Sequence, residues 1–286
     1  MAPDLHKLIE AANSSLPSFP NVVRQVIQAV DNPFYSLDRI GQIITEDPAL
    51  SARLLKIANS SFYRFPFPVS TISRALTIIG SKQLRDLITA TTVIKMFTGE
   101  SNERVKPELF WRHSIACGVW ARVIATAHRE SNVEQYYLTG LLHDVGHLVL
   151  LKIMPDELLD LTEAAHAGKR PLLDVERECW GFSHAEVGGE LLRHWNLPAE
   201  IYQPILMHHT PSQSTDYHLE TAILHVAELM SVAMLESSSL ENTFFHVEPA
   251  AWERIALPVG AITALFELVD NQFDQALNLF SNMASS

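Results

Sequence analysis

An all-α fold is predicted from three observations. Apolar residues recur at helical spacing along most of the 286-residue chain, and helix-starting residues such as Asp47-Pro48 and Ser183 stand just before apolar runs. No pair of alternating β-branched runs is joined by a hairpin dipeptide.

Taken in order, residues 4–13 form a first helix, and Leu16-Pro17-Ser18-Phe19-Pro20 stops it and sets up a second over 21–30. Ser36 caps a third helix through Ile44. Asp47 and Pro48 start a fourth, with Leu50, Leu54, Leu55, Ile57 and Ala58 on one face. Residues 59–68 are too rich in turn formers and aromatics to be helical throughout. Phe62, Tyr63, Phe65 and Phe67 there are expected to cover a core. A short helix over 70–79 ends at Gly80, and Ser81 opens one carrying Leu84, Leu87, Ile88 and Val93. The polar stretch 98–106 is the best internal boundary, dividing the chain into an N-terminal subdomain, residues 1–102, and a C-terminal one, residues 103–286.

Beyond it, helices are expected over 108–129, 133–154 (with a bend or end near Gly146), 155–167, 172–180, 183–195, 198–209 and 219–235. The serines at 237–239 then lead to closing helices over 249–255 and 259–280.

Composition narrows the function. Apolar residues make up 47% and charged residues 19%, as in folded domains, and a net charge of -12 repels phosphate backbones, which argues against general nucleic-acid binding. The apolar-rich runs 145–154 and 256–269 are interrupted by His147, Lys152, Pro258, Gly260 and Glu267, so neither reads as a membrane span. Asp4, His6 and Glu10 break the only candidate leader, and a cytoplasmic location is expected. Cys117 and Cys179 have no metal-ligand spacing and are expected to be core thiols. Lys56, Arg74, Lys82 and Arg85 are expected on a solvated helix face of the N-terminal subdomain.

The chemistry concentrates around Leu141-Leu142-His143-Asp144-Val145-Gly146-His147, where an ionisable pair sits in an apolar helix. A buried carboxylate is costly unless a cation or several donors compensate it. Further along stand His184, the doublet His208-His209 and Glu228, and upstream stands His113. Taken singly, each has a structural explanation: a boundary histidine at 113, a capping contact at 184, a helix-dipole contact at 208 and 209, and a local pair between His225 and Glu228. Imidazoles and carboxylates together suit iron or manganese, and zinc less well, and useful thiols are lacking.

Residues 16–212 with the helical tail resemble the HDOD domain, an HD-related output domain of bacterial signalling proteins. The likeness lies in Leu16-Pro17-Ser18-Phe19-Pro20, in the block from Ile43-Ile44-Thr45-Glu46-Asp47-Pro48 through Ala58-Asn59-Ser60, and in Ile72-Ser73-Arg74-Ala75-Leu76 through Gly80. The second half is similar to an HD-type phosphohydrolase core, and the resemblance implies two abutting helical subdomains. It also implies a two-metal ligand order of His113, His143, Asp144, His184, His208, His209 and Glu228. In that reading Asp144 spans two ions, His113 and His143 hold one, and His184, His208 and His209 hold the other. Asp144 and His147 are then the catalytic candidates, with His147 a ligand or phosphate contact on the face of His143. No Gly-Tyr-Pro follows His209, and His147 stands where the HD-GYP cyclic-di-GMP phosphodiesterases carry lysine. That departure argues against hydrolysis of cyclic-di-GMP.

Two functions are therefore expected. The favoured one is a regulatory module that binds a signalling partner protein around a retained dinuclear site, with a nucleotide or phosphoester as a further candidate ligand. The alternative is an active metal-dependent phosphohydrolase acting on a nucleotide, cyclic dinucleotide or other phosphoester.

Overall fold

The computed structural model describes residues 3–63, 67–97, 107–235 and 246–284, and among them every regular element is helical. The first helices are α1 (Leu5–Ser15), α2 (Asn21–Asp31), α3 (Leu37–Thr45), α4 (Pro48–Ala58), α5 (Ile72–Ile79) and α6 (Ser81–Phe97). After residue 106 come α7 (Pro107–Ala127), α8 (Val133–Leu142), α9 (Val145–Ile153), α10 (Pro155–Gly168) and α11 (Leu172–Trp180). The chain continues through α12 (His184–His194), α13 (Ala199–Met207), α14 (His218–Leu235), α15 (Pro249–Ile255) and α16 (Ile262–Ala284).

Local chemistry starts these helices where the sequence indicates. The Ser36 hydroxyl accepts from the Arg39 amide, and the Asp47 carboxylate accepts from the Leu50 amide, each satisfying a first-turn donor that has no partner within the helix. Glu186 accepts from the Ser183 amide at 2.8 Å, the return half of a capping box at the start of α12. The boundary at 98–106 and the serines at 237–239 lie outside the described residues, as does Phe65. Phe62 is buried as expected, but Phe67 is exposed.

One hydrophobic core runs from Leu8 on α1 to Ala276 on α16. Its centre is α7, which packs against α8, α14 and α16, with Trp120 buried edge-on against Phe266. Two contacts of small residues set the spacing. A Cβ on Gly140 would meet the backbone of Gly118 within 2.7 Å, so α7 and α8 approach as only glycine permits. A Cβ on Gly146 would run into the His184 carbonyl, which brings α9 against the start of α12.

Three expectations are corrected. The helix expected over 133–154 is two helices, and it breaks at His143 and Asp144 rather than at Gly146. Cys179 is exposed, while Cys117 is the core thiol. Arg85 is not on a solvated face: it is 1% exposed and holds Asp86 at 2.8 Å on its own helix, Asp31 of α2 at 2.8 Å and Glu200 of α13 at 3.1 Å. The helix His218–Leu235 has the length and hydropathy of a membrane span, but its central residues pack on α7 within the core.

Candidate metal centre

The break between α8 and α9 is what presents His143 and Asp144. By ending one helix and starting another at this pair, the chain turns both side chains inward beside His147, which lies on the first turn of α9. α7 contributes His113 and the start of α12 contributes His184. The end of α13 supplies His208 and His209, and Glu228 comes from the middle of α14. Every residue named as a ligand or catalytic candidate from the sequence therefore reaches one place. All of them are between 0 and 8% exposed.

Asp144 is at the middle. Its Oδ2 lies 3.2 Å from His143 Nε2 and 3.8 Å from both His113 Nε2 and His147 Nδ1, and its Oδ1 lies 3.6 Å from His184 Nε2. On the other side, His184 Nε2 is 2.9 Å from His209 Nε2, while Glu228 is 3.9 Å from His208 Nε2 and 3.8 Å from His209 Nδ1. Donor atoms fall into three sets, each within 4.8 Å: His113, His143 and Asp144; Asp144, His147 and His184; and His184, His208 and His209.

Hydrogen bonds on the far side of the rings fix which nitrogen faces inward. A carbonyl only accepts, so His143 donates through Nδ1 to Gly140 at 2.7 Å and His208 donates through Nδ1 to Ile205 at 2.6 Å. Ser231 donates to the Glu228 carbonyl at 2.8 Å, which leaves its oxygen to accept from His113 Nδ1 at 3.3 Å. In the neutral forms of His113, His143 and His208 the unprotonated nitrogen is therefore Nε2, and in each it is buried without a hydrogen-bond partner.

Sequence reasoning missed one residue and misread the partner of a second. Glu176 of α11 is fully buried, with Oε2 at 2.7 Å from His184 Nδ1 and Oε1 at 3.4 Å from His147 Nε2. The readable signal was a carboxylate on the apolar stripe formed with Leu172 and Trp180, both also buried. The second is His225, which does not pair with Glu228. It donates through Nδ1 to the His208 carbonyl at 2.8 Å and accepts the Glu248 amide at Nε2, so it braces the histidine doublet from behind.

The electrostatics favour the ligand forms of His113, His208, His209, Asp144 and Glu176, and, against burial, the charged form of His143 and, through Glu176, of His184. Burial first, then the charges of neighbouring histidines, pushes His208 and His209 well below the usual imidazole range, and burial with His143 takes His113 down to about 4. Burial alone would raise Asp144 and Glu176. The surrounding histidines outweigh it, holding Asp144 well below the carboxylate range and Glu176 at about 2. His143 moves the other way: burial opposes its charge most strongly, but Asp144 and then Cys117 carry it well above the usual value. Neutral imidazoles facing ionised carboxylates are what a divalent ion requires.

The donor set fits a metal. Nitrogen and oxygen donors about 2.0–2.2 Å from a shared ion lie about 3.0–3.5 Å apart. The separations around Asp144, 3.2 to 3.8 Å, lie within or just above that range and most are too long for direct hydrogen bonds, whereas His184 and His209 are within hydrogen-bond distance of each other at 2.9 Å. Lone pairs turned toward one another in a dry interior repel unless a cation stands between them.

The fold is all-helical among the described residues and gathers buried histidines and carboxylates around a His-Asp dipeptide. The HDOD domain matches residues 16–211, most of the chain, and the chain belongs to the HDOD domain family. An uncharacterised protein of Treponema pallidum (strain Nichols) is 28% identical over 195 residues, covering 68% of this chain and 37% of that protein. The chain therefore spans little more than a third of that relative's length. A candidate phosphohydrolase from Shewanella amazonensis SB2B superposes with a TM-score of 0.73 at 21% identity, over 98% of this chain and 100% of that one. A candidate signal transduction protein from Marinobacter aquaeolei VT8 has the same TM-score at 17% identity, over 99% of this chain and 66% of that one. At these identities the likeness shows a shared fold.

Proposed function

We propose that this chain is a regulatory output module of bacterial signalling, cytoplasmic in location, with a buried divalent-metal centre kept for structure or sensing. The observation that carries this reading is closure. Catalytic metal sites keep an accessible position for water and substrate, whereas structural sites are closed. Here His113, His143, Asp144, His147, His184, His208 and Glu228 are each 2% exposed or less, and His209 reaches only 8%. The family membership and the signal-transduction name of one fold relative agree with a regulatory role. In this reading the N-terminal subdomain, residues 1–102, faces a partner protein, and the C-terminal subdomain, residues 103–286, carries the centre.

His113, His143 and Asp144 Oδ2 would hold one ion, and Asp144 Oδ1 with His184, His208 and His209 the other, with Glu228 beside the doublet. Iron or manganese suits this donor set best, and zinc less well. Three buried carboxylates, Asp144, Glu176 and Glu228, leave two divalent ions one positive charge in excess, which a single small anion would neutralise.

A second reading is supported by the bridging position of Asp144 between donor sets: a phosphohydrolase acting on a nucleotide, cyclic dinucleotide or other phosphoester. Bound divalent ions would there polarise the phosphoester and supply a nucleophile near neutral pH. The chain's own contribution would be to hold the ions through Asp144 and to keep His147 beside them as a proton carrier or phosphate contact.

Metal analysis of protein purified without chelator, followed by phosphodiesterase and phosphomonoesterase assays with added manganese or iron, separates the two. Stoichiometric metal without turnover supports the module. Turnover that Asp144→Ala abolishes supports the hydrolase.

A further inference from the structure

We propose that Glu176 is a positioning residue that sets the ligand face of two histidines at once, His184 and His147, and thereby the strength with which the Asp144–His184 side of the centre holds its ion. The inference rests on the metal reading above. Glu176 Oε2 lies 2.7 Å from His184 Nδ1 and 3.1 Å from the His184 backbone nitrogen, so the ring and the first turn of α12 are gripped by one oxygen. An ionised carboxylate only accepts, so Nδ1 carries the proton and Nε2 turns its lone pair toward Asp144 Oδ1 at 3.6 Å.

The other oxygen addresses the second ring. Oε1 lies 3.4 Å from His147 Nε2, and the opposite nitrogen, Nδ1, lies 3.8 Å from Asp144 Oδ2. The two imidazoles stack with centroids 3.9 Å apart at 29°, and Glu176 spans the edge of the stack away from Asp144. The hydrogen bond keeps the proton of His184 on its outer nitrogen, and the 3.4 Å approach of Oε1, which forms no hydrogen bond with His147 Nε2, places negative charge where it favours the same arrangement in His147, leaving both inner nitrogens as donors to an ion. A backing partner of this kind typically changes metal affinity by about 10–100-fold. Glu176 is fully buried on a helix whose other inward residues include Leu172, Leu173 and Trp180, a placement that packing alone does not favour.

The test compares wild type, Glu176→Gln, Glu176→Leu and Asp144→Asn, each loaded with zinc and titrated against a competing chelator. Glu176→Leu should bind about 10–100-fold more weakly, and Glu176→Gln, which keeps an acceptor for His184, should fall between it and wild type. Nitrogen-15 spectra of the histidines in zinc-loaded wild type should show the proton of His184 on Nδ1 and that of His147 on Nε2. Those spectra need no variant, so they decide the matter even if the substitutions unfold the chain. Wild-type affinity in both Glu176 variants while Asp144→Asn loses zinc, or a His184 proton on Nε2, overturns the role of Glu176 alone. Zinc held by no protein, wild type included, overturns the metal reading and this inference with it.

Discussion

At the scale of residues the molecule turns on how few atoms can satisfy Asp144. Its neighbours are imidazole nitrogens whose protons are committed elsewhere, His143 to Gly140, His113 to Ser231 and His184 to Glu176. Replacing Asp144 by Ala should therefore remove metal uptake while circular dichroism still reports a helical chain, because the helices rest on the surrounding apolar core. Loss of helix content together with metal would contradict that division of labour. His113, the His143-Asp144 pair, His147, His184, the His208-His209 doublet and Glu228 were legible because histidine and acid in apolar helices are conspicuous. Glu176 and Ser231 were not: Glu176 shows only as an acid on an apolar helix stripe, with nothing in the sequence to tie it to the histidines, and Ser231 shows no spacing of its own. His225 was visible, but its partner was misread: a pair three apart on one helix looks local until α13 brings the His208 carbonyl alongside.

At the scale of elements, helix starts were readable from Ser36, Asp47 and Ser183, since a cap is a local event. The break at His143-Asp144 was misplaced by a few residues. Gly146 was the conspicuous breaker, but its task is close approach to α12. Gly146→Ala should drive a methyl into the His184 carbonyl and cost about 1–3 kcal/mol, with weaker metal binding read in the same preparation. A neutral effect would mean that α12 yields freely.

The misreading of Arg85 has the same origin, for a basic residue on a helix looks solvated until the tertiary fold supplies Asp31 and Glu200. Arg85→Met should destabilise the chain by about 3–5 kcal/mol in urea unfolding, because it strands Asp86 in the interior. Burial raises Asp86 to about 6, against the opposing pull of Arg85 and Asn132. Between 3.8 and about 6 the folded chain then binds a proton that the unfolded chain does not, so this residue makes stability fall as pH rises through that window and level off above it. Asp86→Asn should remove that slope from unfolding midpoints measured across the window; an unchanged slope would assign it to other groups.

For the whole molecule, the all-helical class was legible from periodicity, and the HDOD likeness from blocks in the first third that mainly shape the fold. What the sequence could not supply was the depth of the centre, which depends on α7, α8, α9, α11, α12, α13 and α14 closing together. That depth is the reason a regulatory role is favoured over turnover. It also predicts that an ion, once bound, stabilises the entire domain, by about 2.7 kcal/mol when free metal is a hundredfold above its dissociation constant. Thermal unfolding before and after chelation should show a lower midpoint for the stripped protein; identical midpoints would place the ion outside the core.

The measurement nearest the central claim is elemental analysis of the chain purified without chelator and of the stripped chain after exposure to iron or manganese. The account predicts uptake of divalent metal in whole-number ratio to protein, lost in Asp144→Ala. A folded protein that neither carries nor takes up metal would contradict it, leaving the buried histidines to ordinary packing and hydrogen bonding.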